Sequence, residues 1–138
     1  MKVVYDTCLY IDLLRSSQHL SLFQDRKHIR YFSPLVLMEL LAGARTPKQR
    51  RVVERLLKPY SQASRIIHLE ATTYYKAGVA LAKLGIDRKS MGKGFSHDLL
   101  IALSAHSIGA TLFTQNKNDF VLIAKAVPVK LQFVDALH

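Results

Sequence analysis

Four carboxylic acids occupy positions from which a metal-binding site could be built: Asp6, Glu39, Asp98 and Asp119. Asp6 directly follows the apolar run from Lys2 to Tyr5, and Asp119 lies shortly after the run from Ala110 to Thr114. Clustered carboxylates repel one another and raise each other's pKa, so such a cluster persists where a divalent cation neutralises it. Because a site made only of oxygen ligands selects hard ions, the four acids together predict a Mg²⁺ or Mn²⁺ site.

Taken singly, most of these acids have an ordinary structural explanation. Asp6 and Asp119 could cap helices, and Asp98 could interact with the positive end of its own helix dipole, worth about 0.3–1 kcal/mol. Glu39 is harder to explain, because its helix is apolar on all sides. A carboxylate there must lie on a narrow exposed strip, be paired or protonated, or bind a cation. We favour a shared function because these four are among only 10 acids in a chain with a net charge of +10.

The pattern of the chain predicts the elements that would bring these acids together. Strands are predicted over residues 2–5, 30–32, 65–69, 110–114 and 129–134, and helices over 9–15, 34–43, 47–60, 70–84, 97–109 and 120–126. This alternation predicts an α/β fold in which a mostly parallel sheet has helices on both faces. Ligands of such sheets bind beyond the carboxyl ends of the strands. Asp6, Asn116 and Asp119 follow strands, and Glu39 and Asp98 lie near the starts of helices that could frame the same edge.

Composition limits the other possibilities. The 138 residues predict a single domain over 1–138, and its basic balance favours nucleic acid or an anionic membrane surface as partner. One cysteine, Cys8, allows no internal disulfide or multi-cysteine zinc site, and the six histidines contain no HExxH spacing. Asp6 and Asp12 interrupt the N-terminal apolar stretch, and no apolar run approaches the ~20 residues that cross a bilayer, so we expect a cytoplasmic protein. Asp12 is expected to pair with Arg15 on its helix.

A Mg²⁺ ion held by carboxylates in a basic protein predicts hydrolysis of phosphodiester bonds. Two groups of cations could hold RNA phosphates and make binding dependent on salt. The helix face carries Arg45, Arg50 and Arg51, and the glycine-containing loop over 87–95 carries Arg88, Lys89 and Lys93. The alternative is that both groups are simply solvated surface. For the helix we weigh the two explanations equally, and for the loop we favour RNA binding a little more.

The chain resembles the PIN-domain nucleases, and among them the VapC-type toxins of toxin–antitoxin pairs. Four blocks in the same order carry the resemblance: VVYDTCLYIDLL, SPLVLMELLAGAR, SHDLLIALSAHSIGATLFTQN and NDF. It implies a PIN fold, an endoribonuclease dependent on Mg²⁺ or Mn²⁺, an antitoxin that blocks the site, and a homodimer. The acidic positions of the family fall on Asp6, Glu39, Asp98 and Asp119, with Asp6 and Asp98 as primary ligands. The supporting polar residue falls on Thr114 or Asn116.

Two residues depart from the family pattern. Cys8 stands where Asn is common, and His97 stands where a small or amide residue is more usual. Neither change removes a ligand, although either could shift metal preference or rate. Two other functions remain open at this point: a PIN domain that binds RNA or protein without cutting, and a nuclease that processes nucleic acid with no toxin role.

Overall fold

The computed structural model describes residues 1–87 and 94–135. In the described residues, the strands are β1 (Lys2–Tyr5), β2 (Ile29–Tyr31), β3 (Thr111–Thr114) and β4 (Lys130–Phe133). The helices are α1 (Thr7–Ser16), α2 (Leu20–Gln24), α3 (Pro34–Gly43), α4 (Pro47–Gln62), α5 (Ala71–Lys83), α6 (Phe95–Ser107) and α7 (Lys117–Ile123). None of these helices is long and apolar enough to span a membrane.

The four strands form one parallel sheet in the order β2-β1-β3-β4. In the central strand β1, Val3, Val4 and Tyr5 are all buried. Successive side chains of a strand point to opposite faces, so both faces of the sheet centre are covered. The predicted α/β architecture is therefore confirmed, and it places the carboxyl ends of β1 and β3 side by side.

The structure corrects several element boundaries. The strand predicted over 65–69 is reduced to an isolated parallel bridge between Phe32 and Ile66. Phe32 donates its N–H to Arg65 and accepts one from Ile67, and the pairing ends there. The short helix α2 was not predicted, because five residues are too few to show helical periodicity.

Helix α6 is the most buried helix of the described chain and carries Asp98 in its first turn. Its residues from Ile101 to Ala105 are all buried, which is expected of a helix packed on several sides. It contacts α3, α5 and α7 as well as β3. Gly94, with φ of 87°, directly precedes the helix, which begins at Phe95 and so two residues before the predicted start at 97. The rigid setting of α6 therefore fixes where Asp98 lies.

Candidate active site

Asp6 lies at the carboxyl end of β1 and is also the N-cap of α1. It is 6% exposed, and its Oδ1 accepts the backbone N–H of Thr7 at 2.8 Å. Its Oδ2 accepts the hydroxyl of Thr114 at 2.7 Å and lies 3.8 Å from the Cys8 thiol. Burial raises the pKa of Asp6, and the hydrogen bonds from Thr114 and Thr7 oppose that rise. Asp6 therefore does cap α1, through Oδ1, while its Oδ2 bonds to Thr114 of β3.

Glu39 is joined to the same place through Thr7. The Thr7 hydroxyl donates to Glu39 Oε1 at 2.8 Å, and His97 Nδ1 lies 3.8 Å from Glu39 Oε2. The side chain of Glu39 is 31% exposed. Helix α3 is not buried all round as its sequence suggested, because Met38 and Leu41 are exposed. Glu39 therefore lies at the boundary between the core and the surface.

Asn116 bridges the other two acids. Its Nδ2 donates to Asp98 Oδ2 and to Asp119 Oδ2, each at 3.2 Å. Its Oδ1 accepts the backbone N–H of Asp119 at 3.3 Å, which makes Asn116 the N-cap of α7. Asp119 is consequently a first-turn residue of α7. It does not cap the helix, although its position in the sequence had allowed that interpretation.

Thr114 connects the two halves of this network. Its hydroxyl oxygen accepts the backbone N–H of Asn116 at 3.0 Å while it donates to Asp6. Side chains and the backbone N–H groups of Thr7 and Asn116 therefore form one hydrogen-bonded path, listed from end to end as Glu39, Thr7, Asp6, Thr114, Asn116 and then Asp98 and Asp119. The structure brings all four predicted acids, and both predicted supporting residues, to one edge of the sheet.

The negative charge at this edge is poorly compensated. Burial first, and then the nearby carboxylates of Asp6, Asp119 and Glu39, together raise the pKa of Asp98 to about 8. Within residues 1–87 and 94–135, no lysine or arginine forms an ion pair with any of the four acids. An added dication would relieve this repulsion.

The donor chemistry suits a hard divalent ion, although a ready-made coordination shell is absent. In the described part of the chain, no group of three or more His, Cys, Asp or Glu side chains is placed to hold a metal ion. The hydrogen bonds explain this, because Thr7, Thr114 and Asn116 stand between the acids. Carboxylate oxygens with unneutralised charge nevertheless match what Mg²⁺ and Mn²⁺ require.

Two polar residues near the site were not assigned correctly from the sequence. Thr7 was overlooked, since a threonine after an N-cap has no distinctive pattern. Asp12 does not pair with Arg15; its Oδ2 instead lies 3.0 Å from His19 Nε2 and 3.2 Å from Gln115 Nε2. These partners are distant in sequence or follow a turn, so helix spacing could not identify them.

The cations proposed to hold RNA are only partly described. Arg45, Arg50 and Arg51 are all exposed; Arg50 and Arg51 lie on α4, whereas Arg45, predicted on the same helix face, precedes the N-cap Thr46. Arg88, Lys89 and Lys93 lie outside the described residues. Cys8 is half-buried, and burial raises the pKa of its thiol to about 11, as for an unreactive thiol.

A groove with a volume of about 330 Å³ runs beside the acidic edge between α1, α3 and α4. Its walls include Ile11, Leu14, Leu40 and Val52, and Glu39 lines it as well. Leu14 and Val52 are 39% and 38% exposed, so apolar surface is open to solvent here. Such a surface commonly marks an interaction site.

A family model of the PIN domain matches residues 3–126, a range that includes most of β1, all of β2 and β3, and the four acids. The chain therefore belongs to the PIN-domain family. A comparison with curated proteins finds no match.

Several solved structures share the fold at low identity. VapBC-1 from nontypeable Haemophilus influenzae is 23% identical, with a TM-score of 0.69 over 96% of this chain and 98% of that one. VapBC2 from Rickettsia felis, bound to a DNA fragment from its promoter, is 23% identical, with a TM-score of 0.64 over 98% and 100%. FitAcB from Neisseria gonorrhoeae is 19% identical, with a TM-score of 0.65 over 94% and 95%. At these identities the likeness concerns the fold.

Proposed function

We propose that this PIN domain is an endoribonuclease dependent on Mg²⁺ or Mn²⁺, acting in the cytoplasm as the toxin of a VapBC-type pair. The observation that carries the proposal is the network that joins four carboxylic acids, none of which is paired with a lysine or arginine among the described residues. Maintaining mutual repulsion of this kind is costly to a fold and is expected where a cation is bound during function. A domain that only binds RNA or protein has no such need.

In this proposal Asp6 and Asp98 are the primary metal ligands. Glu39 and Asp119 complete the site directly or through water. The bound ion would lower the pKa of a water molecule and neutralise charge on the phosphoryl oxygens. Thr114 and Asn116 orient the carboxylates, as hydrogen-bonding partners of metal ligands commonly do. The exposed arginines of α4 would hold RNA phosphates.

The direct test is cleavage of purified cellular RNA with Mn²⁺, with Mg²⁺ and with a chelator. Wild-type protein is compared with Asp6→Asn and Asp98→Asn, and Glu54→Gln serves as a control because Glu54 is an exposed acid on α4. We expect discrete cuts that need metal, persist in the control and disappear in both site variants. Equal cutting by the site variants would refute the assignment. Binding without cutting by wild-type protein would favour the non-cleaving alternative.

The groove between α1, α3 and α4 supports an antitoxin as partner. One solved structure with this fold, VapBC-5 from Mycobacterium tuberculosis, is a member of the VapBC family of toxin–antitoxin systems. An apolar segment of such a partner lying in the groove would contact Glu39, and a cation on it would meet the acidic edge. Occupation of the groove would thereby block access to the proposed site.

The existence of an antitoxin partner would distinguish a toxin from a nuclease that processes nucleic acid. The product of a small reading frame immediately upstream should inhibit RNA cleavage by wild-type protein. Leu14→Glu and Val52→Glu should escape inhibition while they retain cleavage, because each introduces a charge into the apolar groove. Inhibition that is unchanged in both variants would place the partner elsewhere. Homodimer formation is a further expectation, to be measured by light scattering.

A further inference from the structure

We propose that Gln115 is a positioning residue, which fixes Thr114 and Asn116 against the acids by bonding to Asp12 of α1. The inference rests on the proposed function, since it concerns the placement of the proposed metal ligands. Its basis is a second hydrogen-bonded cluster, Asp12, His19 and Gln115, that lies behind the first.

Three consecutive residues leave β3 with their side chains directed to different partners. Thr114 bonds to Asp6, and Asn116 bonds to Asp98 and Asp119. Between them, Gln115 donates from Nε2 to Asp12 Oδ2 at 3.2 Å. Strand β3 ends at Thr114, so Gln115 and Asn116 belong to the turn that leads into α7. This turn is consequently held by the acids and also by Asp12 of α1.

Asp12 is the acceptor on which this cluster depends. His19 Nε2 is 3.0 Å from Asp12 Oδ2 and 3.1 Å from Gln115 Nε2. If His19 Nε2 lacked its proton, its lone pair would face the Asp12 carboxylate, which is unfavourable. Both nitrogens therefore donate to Asp12. His19 is 7% exposed and adopts φ of 64°, so the fold holds a strained residue at this contact.

The contact has a consequence for the site because Asp12 and the proposed ligand Asp6 both belong to α1 or its cap. Asp6 caps α1, and Asp12 lies within it. The bond from Gln115 therefore sets how α1 lies relative to the start of α7, which carries Asp119. Losing that bond would let the segment shift, and a displacement of a fraction of an ångström is enough to weaken metal binding.

The experiment measures Mn²⁺ affinity by calorimetric titration, together with Tm, for wild type and variants. Gln115→Met preserves the side-chain length without the donor, and Gln115→Glu places a carboxylate against Asp12. Asp12→Leu removes the acceptor, whereas Asp12→Asn retains an oxygen that can accept. Gln132→Met is the matched control, because Gln132 is exposed on β4 and, among the described residues, its side chain bonds only to the Phe133 carbonyl.

We expect Gln115→Met, Gln115→Glu and Asp12→Leu each to weaken Mn²⁺ binding about 10-fold, within the range for groups that support metal ligands. Asp12→Asn and Gln132→Met should remain close to wild type. Since both partners serve one contact, the double variant Gln115→Met with Asp12→Leu should lose no more than either single variant. A role confined to stability would lower Tm and leave affinity unchanged in protein that is fully folded.

Two results would overturn the inference, and they differ from failure of the proposed function. Wild-type affinity in folded Gln115→Met and Gln115→Glu would show that the contact positions nothing. A double variant weakened by the product of the two single losses would show that Gln115 and Asp12 act separately. If wild-type protein binds no Mn²⁺, or if Asp6→Asn binds it equally well, the metal site itself is wrong and the inference falls with it.

Discussion

Replacing Thr114 by valine should separate the two halves of the acidic network without changing side-chain shape. The Thr114 hydroxyl is fully buried, donates to Asp6 at 2.7 Å and accepts the backbone N–H of Asn116 at 3.0 Å. A hydrogen bond to a charged group contributes about 1.5–3 kcal/mol, and an orphaned buried N–H adds a further cost. We therefore expect Thr114→Val to lower the free energy of unfolding by about 2 kcal/mol.

Calorimetry provides the assay. At about 4 °C per kcal/mol for a domain of this size, Tm should fall by about 8 °C. Thr111→Val is the matched control, since Thr111 lies on the same strand at the end away from the acids and its hydroxyl makes no hydrogen bond to any described residue. Thr114→Ser should recover most of the loss. If Thr114→Val and Thr111→Val unfold at the same temperature, the hydroxyl does not join the two halves as argued.

Other predictions concern protons, metal and salt. The pKa of Asp98 is about 8 in the folded protein, against an ordinary value of 3.8, so the folded state binds this proton more tightly than the unfolded state does. The free energy of unfolding of the metal-free protein should therefore fall as pH rises from about 4 to about 8. Urea unfolding should show a flatter profile for Asp98→Asn over that window, and parallel profiles would contradict the raised pKa. Mn²⁺ binding at pH 6.5 should release about one proton. Calorimetry in buffers of different ionisation enthalpy measures this release, and a binding heat that is the same in every buffer would contradict it. Arg50→Glu and Arg51→Glu should each lower the dependence of RNA affinity on salt, by a slope of about 1, and an unchanged slope would place the RNA elsewhere.

The sequence was sufficient to predict the parallel sheet and the edge where the acids meet. Strong local signals account for this: β1 is a continuous apolar run that ends at Asp6, and the Ser33-Pro34 pair starts α3 as a cap and a first-turn proline. Carboxyl ends of parallel strands share one edge, so topology alone brought Asp6 near the segment after β3.

Side-chain partners that are remote in the chain could not be predicted. The bond from Thr7 to Glu39 spans 32 positions and that from Gln115 to Asp12 spans 103. Such contacts depend on how α1 packs against its neighbours, and the spacing of apolar residues along the sequence does not predict that packing. The predicted strand over 65–69 is wrong for a related reason. The segment has the composition of a strand, but within residues 1–87 and 94–135 it pairs through a single bridge to Phe32.

The most direct test of the central claim is anomalous diffraction from crystals of the protein soaked in Mn²⁺. The account predicts a strong anomalous peak at the carboxyl edge of the sheet, about 2.0–2.3 Å from oxygen atoms of both Asp6 and Asp98. No peak at that edge in fully soaked crystals, or a peak bound only by other residues, would contradict it.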